Sequence, residues 1–144
     1  MLRISIRKWF SPPAPLLACA VCSGILLGSC VSLMPPAYDI RQMNFEKRRN
    51  GYLLALDSKK KIDDVEAFVS GSNWLIITLP GARVDTANIL STKRFGIFGE
   101  VETRDFGSSV QISVKLDAAV DRVEVVRDPS SDAVLINVLT ASGN

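Results

Sequence analysis

Val110-Gln111-Ile112-Ser113-Val114-Lys115-Leu116 alternates apolar and polar residues without a break. A helix would scatter those apolar side chains around its surface. A strand puts Val110, Ile112, Val114 and Leu116 on one face and Gln111, Ser113 and Lys115 on the other. The segment is therefore a strand with one face buried and one in water. Similar segments lie on either side of it. Tyr52-Leu53-Leu54-Ala55-Leu56, Trp74-Leu75-Ile76-Ile77-Thr78-Leu79 and Val134-Leu135-Ile136-Asn137-Val138-Leu139 are short apolar runs bounded by turn residues. Residues 65–69 and 120–126 add two strands rich in β-branched side chains. Gly71-Ser72-Asn73, Pro80-Gly81, Phe106-Gly107-Ser108-Ser109 and Asp128-Pro129-Ser130-Ser131-Asp132 punctuate them as turns. No long amphipathic helix is present; Asp85 to Thr92 fits one short helical turn.

The strands repeat. Residues 51–79 read strand, Leu56-Asp57, polar step, Asp64-Val65-Glu66, turn, Leu75-Ile76-Ile77-Thr78-Leu79. Residues 109–139 read strand, Leu116-Asp117, polar step, Arg122-Val123-Glu124, turn, Leu135-Ile136-Asn137-Val138-Leu139. A three-stranded unit has an apolar face that it cannot bury alone. Two such units can bury theirs against each other. The expected fold is all-β: a small β-sandwich of two related three- to four-stranded sheets. The linking segment, residues 82–105, supplies at least one more strand near Ile97 to Arg104.

This pattern resembles the AMIN domain, a non-catalytic periplasmic domain found in front of N-acetylmuramoyl-L-alanine amidases and in type IV pilus secretins. The residues that carry the likeness are Gly51-Tyr52-Leu53-Leu54-Ala55-Leu56-Asp57, Trp74-Leu75-Ile76-Ile77-Thr78-Leu79-Pro80-Gly81-Ala82-Arg83, residues 110–116 and Ala133-Val134-Leu135-Ile136-Asn137-Val138. The resemblance covers about Gly51 to Thr140. It implies a sandwich of two related sheets, peptidoglycan binding and placement of envelope machinery. It does not imply hydrolysis, because the amidase partners of such domains use zinc and histidines and this chain has no histidine.

The N-terminus points to the same compartment. Met1 to Phe10 carries Arg3, Arg7 and Lys8 and no acid, and Leu16 to Leu27 is almost wholly apolar. Small residues follow, then a cysteine: Leu27-Gly28-Ser29-Cys30. That order is a secretory signal, and the final tetrapeptide resembles the lipobox of bacterial lipoproteins. In that family the cysteine thiol is diacylated and becomes the first residue of the mature chain. The expected layout is a signal peptide at 1–29, lipidation at Cys30, a tether at 30–50 and an AMIN-like domain at 51–144. Val31 after the cysteine matches the outer-membrane sorting pattern. An uncleaved anchor is the competing reading, since residues 11–38 contain no charge and about 20 apolar residues span a bilayer. A third is a false lipobox, with ordinary signal cleavage or none.

Charge and composition exclude other classes. The chain has 17 basic and 15 acidic residues. Loss of Arg3, Arg7 and Lys8 with the signal leaves 14 against 15, so the mature domain has no basic surplus for nucleic acid. The absence of histidine removes the commonest general base and zinc ligand. Cys19 and Cys22 have CxxC spacing but sit inside the apolar signal. Phe95-Gly96-Ile97-Phe98-Gly99 lacks the pattern of a phosphate loop, and Asp57, Asp63 and Asp64 lack calcium-loop spacing. Neither an enzyme nor a cofactor is expected.

Candidate ligand contacts are Arg83, Lys93, Arg94 and Arg104, whose cations suit the carboxylates of peptidoglycan stem peptides. Set against that, they read as ordinary exposed charges. Phe95, Phe98 and Phe106 suit sugar stacking or the core, and Trp74 reads as a core anchor. Lys47-Arg48-Arg49 reads as a solvated lead-in or as a basic collar against anionic lipid. The expected partners are a membrane, through the N-terminal lipid, and either peptidoglycan or an envelope protein complex. The alternative role is an assembly lipoprotein that adds a partner's strand to an open sheet edge, without wall affinity.

Overall fold

The computed structural model describes residues 36–141. The signal peptide, Cys19, Cys22 and the lipidation candidate Cys30 lie outside the described residues. Eight strands and one short helix follow in the order β1 (Ile40–Arg48), β2 (Gly51–Ser58), β3 (Glu66–Val69), β4 (Trp74–Pro80), α1 (Thr86–Leu90), β5 (Phe98–Asp105), β6 (Ser109–Leu116), β7 (Val120–Arg127) and β8 (Val134–Thr140). They form two four-stranded antiparallel sheets, ordered β1-β2-β8-β7 and β3-β4-β6-β5. The fold is all-β.

Two expectations are corrected here. The tether assigned to residues 30–50 is not a tether along its whole length, because residues 40–48 form β1, antiparallel to β2. The folded domain therefore starts before residue 51. β1 escapes periodicity because its register shifts between Ile40 and Gln42. Buried Ile40 and Met43 are thereby spaced by three rather than two.

The second correction concerns pairing. Neither half builds its own sheet. β2 pairs with β8, and β4 pairs with β6, so each sheet takes two strands from each half. The strand order is unchanged when β1 to β4 are exchanged for β5 to β8. Ile40 then corresponds to Phe98, Leu54 to Ile112, Ala67 to Val125 and Ile77 to Ile136. The register bulges of β1 and β5 coincide under this exchange. Leu56 thus corresponds to Val114 and not to Leu116. Leu75 corresponds to Val134 and not to Leu135. A one-residue slip turns every side chain to the other face, and Leu135 does face outward while Leu75 is fully buried.

The two inner faces make one core. Leu54, Leu56, Ile136 and Val138 from one sheet meet Leu75, Ile77, Leu79, Ile112 and Val114 from the other. Each such side chain stabilises the fold by about 1.5–3 kcal/mol relative to exposure. Phe98, fully buried, closes one flank. Its ring stacks on Phe45 of β1 at 4.3 Å and takes the edge of Tyr52 at 5.6 Å. Trp74 is not a core anchor. It is half-buried and lies opposite Lys115 on the outer face, with the Lys115 ammonium 5.2 Å from the ring centroid. Among the described residues no helix is long and apolar enough to cross a membrane.

Gly51 follows the two-residue turn that joins β1 to β2. A Cβ there would lie 2.1 Å from the Val138 carbonyl oxygen, and its φ of 148° disfavours other residues. Gly71, in the β3–β4 turn, has nothing within 4 Å of the same position. Gly51→Ala is expected to lower the urea midpoint clearly, and Gly71→Ala to leave it almost unchanged. Phe98→Ala should cost about 3–5 kcal/mol in the same denaturation measurement.

Candidate functional site

The start of β1 is fastened by one carboxylate. The Asp39 and Ile40 N–H groups both donate to the Arg83 carbonyl, at 2.8 and 3.0 Å. Asp39 Oδ2 accepts from the Arg83 N–H at 2.8 Å and from Lys60 Nζ at 3.0 Å. The Asp39 carbonyl accepts from the Lys59 N–H at 2.9 Å. Three separate chain segments thus meet at Asp39, whose side chain is 18% exposed.

Downstream of that clamp the chain makes α1. Asp85 caps it by accepting from the Asn88 N–H at 3.2 Å, and buried Ile89 pins it to the core. The Asn88 side chain then donates to the Arg41 carbonyl of β1 at 2.6 Å. This holds residues 88–95 alongside the free edge of β1. Between them runs an open groove of about 530 Å³. Gln42, Asn44, Asn88, Ser91 and Thr92 supply amides and hydroxyls, Lys93 and Arg94 supply positive charge, and Met43, Phe45 and Phe95 supply apolar surface. Phe95 is 42% exposed and packs edge-on to Tyr52 at 6.4 Å. Gly96, at φ 56°, makes the turn after it; a Cβ there would meet the Tyr52 ring at 2.4 Å.

No carboxylate, histidine or cysteine lines this groove. Arg94 Nη2 is held by Asp117 Oδ2 at 2.8 Å, both side chains being largely in water. Lys93 has no ion-pair partner among the described residues. The groove is therefore cationic, with Lys93 as its standing charge. A second hollow of about 390 Å³ lies beside the end of β7 and contains Ile62, Val65, Val125 and Val126. Its cations Lys61 and Arg127 both pair with Asp63, and Asp128 and Asp132 also line it, so it has no positive surplus. Among the described residues no group of acidic, histidine or cysteine side chains is placed to hold a metal.

Of the four candidates read from the sequence, Lys93 and Arg94 come together in the groove. Arg83 and Arg104 do not line it. Arg83 is used through its backbone at the Asp39 clamp, and Arg104 stands on the outer face of its sheet opposite Gln111. Of the aromatic candidates, Phe98 is core, Phe95 is groove and Phe106 is 56% exposed in the β5–β6 turn. Of the groove residues that sequence reasoning missed, Gln42, Met43, Asn44 and Phe45 lie on the unforeseen β1, and Asn88, Ser91 and Thr92 lie on α1 and just after it. No protein-family model and no curated protein matches this chain. The class that fold and groove define is a two-sheet β-sandwich with an open cationic groove at one strand edge.

Desolvation opposes ionisation of Asp39, but the Arg83 N–H and the Lys60 ammonium outweigh it and hold the carboxyl below its ordinary value of 3.8. A depressed folded-state pKa means that the clamp contributes fully above that ordinary value and is lost as pH falls through the folded one. The melting temperature should therefore fall on acidification below about pH 4. Asp39→Asn should lower the melting temperature at pH 7 and flatten this acid limb.

Proposed function

We propose that this protein is a non-catalytic, lipid-anchored component of the bacterial cell envelope whose AMIN-like sandwich binds peptidoglycan or positions an envelope complex. The observation that carries the reading is the groove beside β1, where Lys93 and Arg94 stand among amides, hydroxyls and ring faces. Stem peptides carry carboxylates and amides, and the glycan carries apolar sugar faces; the groove offers a partner for each. The lipobox-like Leu27-Gly28-Ser29-Cys30 and the AMIN-like strand pattern independently favour an envelope location. In this reading Cys30 carries the lipid, the domain faces the periplasm, and the outer membrane is the site of attachment. Two or three acyl chains would make that attachment stable. The role requires no cofactor, no catalytic residue and no nucleic acid.

A second reading has its own support. Residues 42–48 of β1 have no backbone partner on their free side among the described residues, and the groove runs along Gln42 to Phe45. An extended segment of another envelope protein can add there as a strand, in place of wall binding.

The full chain should be retained by purified peptidoglycan sacculi. Joint Lys93→Ala and Arg94→Ala should weaken retention by about tenfold, the scale of one charge-assisted contact. Arg104→Ala should leave retention unchanged. No retention of the unaltered chain counts against wall binding and favours strand addition. Metabolic labelling with a fatty acid should mark the wild type and not Cys30→Ser; label persisting in the variant removes the anchor from the account.

A further inference from the structure

Four strands lie at sheet edges, and they differ in how each is protected. β3 is only four residues long. The start of β1 is covered, with Asp85 and Asn88 bonded to the Ile40 and Arg41 carbonyls, and the strand carries Arg41, Lys47 and Arg48 against Glu46 alone. β5 is broken by its register shift and carries Glu100, Glu102 and Asp105 against Arg104. Two copies of β1, or two copies of β5, would repel each other. β7 differs from all three. It has eight residues, no proline and no lysine, and two acids balanced by two arginines. Its free side has no backbone partner among the described residues. Natural edges are usually blunted by such devices; β7 has one register shift near its start, between Val120 and Arg122, and its pairing with β8 is regular from Arg122 to Arg127.

We propose that β7 pairs antiparallel with β7 of a second copy, joining two β1-β2-β8-β7 sheets into one eight-stranded sheet. The charge pattern selects the register. Within the regular stretch that starts at Arg122, core-facing residues must stay on the core side, so the twofold axis falls on a residue and not between two. An axis at Arg122 sets arginine against arginine, and one at Glu124 sets glutamate against glutamate. An axis at Val125 leaves Glu124 opposite valine. Only an axis at Val123 brings Arg122 opposite the second copy's Glu124, twice by symmetry, with the two Val123 side chains meeting on the core side. Within one copy Arg122 Nε already reaches Glu124 Oε1 at 3.1 Å, with both side chains well exposed. Pairing turns this ion pair into a four-charge cluster. The same register keeps the contact away from Arg127, which Asp63 engages at 3.1 Å. Val123 and Val125 pack only partly against the core, and the second strand covers their open flank.

The test is sedimentation velocity on the full chain in non-ionic detergent, across a concentration series. The wild type should form a reversible dimer. Arg122→Glu and Glu124→Arg should each weaken association at least about tenfold, because each places like charges opposite each other twice. Mixing the two variants should restore the dimer, since an acidic strand then faces a basic one; so should the double exchange Arg122→Glu with Glu124→Arg. Unchanged far-ultraviolet circular dichroism shows that each variant stays folded. A wild type that stays monomeric, or a dimer indifferent to both reversals, overturns the proposal. Open-ended assembly growing with concentration also overturns it, and indicates pairing of basic β1 with acidic β5. Purification in stable complex with a different protein on β7 likewise overturns self-pairing.

Discussion

The structure depends on β2 pairing with β8 and β4 with β6. Each is a contact between the first and second halves of the chain. A half on its own would have two hairpins, each open along both edges and apolar on one face, and isolated hairpins are marginal in water. Exchanging strands between the halves closes both sheets at their centres and buries both faces at once. Leu54, Leu56, Ile136 and Val138 meet Leu75, Ile77, Ile112 and Val114 because of it. Folding therefore requires long-range pairing before the core can form. Such topology is expected to fold more slowly than a helical domain of this size.

The same arrangement places the groove. Central pairing sends β1, β3, β5 and β7 to the edges. The connection between β4 and β5 must then pass over β6, from a central strand to the edge of its sheet. It does so past the start of β1, where Asp39 takes the Arg83 N–H and Asn88 takes hold of Arg41. Lys93, Arg94 and Phe95 follow along β1 as a consequence. The cationic character of the proposed ligand site is thus a product of where the crossover runs. It owes nothing to a basic domain: the charge of residues 30–144 is close to balanced.

Much of this was legible in the sequence. β2, β3, β4, β6, β7 and β8 announce themselves through period-two alternation or short apolar runs, and the helical turn and β5 were placed in the linking segment. β1 was not legible, because a bulge between Ile40 and Gln42 disrupts its alternation and polar residues dominate its exposed edge. Strand partnership was not legible either. A repeat shows that two units are alike, and says nothing of whether they pair within or across. Lys93 and Arg94 read from the sequence as cations of the linker. That Gln42, Asn44 and Phe45 face them depends on β1. Trp74, a bulky residue opening an apolar strand, reads as core, whereas its face is set by its neighbour Leu75, which is fully buried.

The central claim is that the groove beside β1 is where the envelope ligand binds. Amide chemical-shift mapping on the isotopically labelled full chain in detergent, titrated with soluble disaccharide-peptide fragments of peptidoglycan, tests it most directly. The account predicts saturable shifts confined to residues 42–45 and 88–96, with Lys93 and Arg94 among the largest. Shifts centred on the outer face around Trp74 and Lys115, or no saturable shift at all, would contradict it.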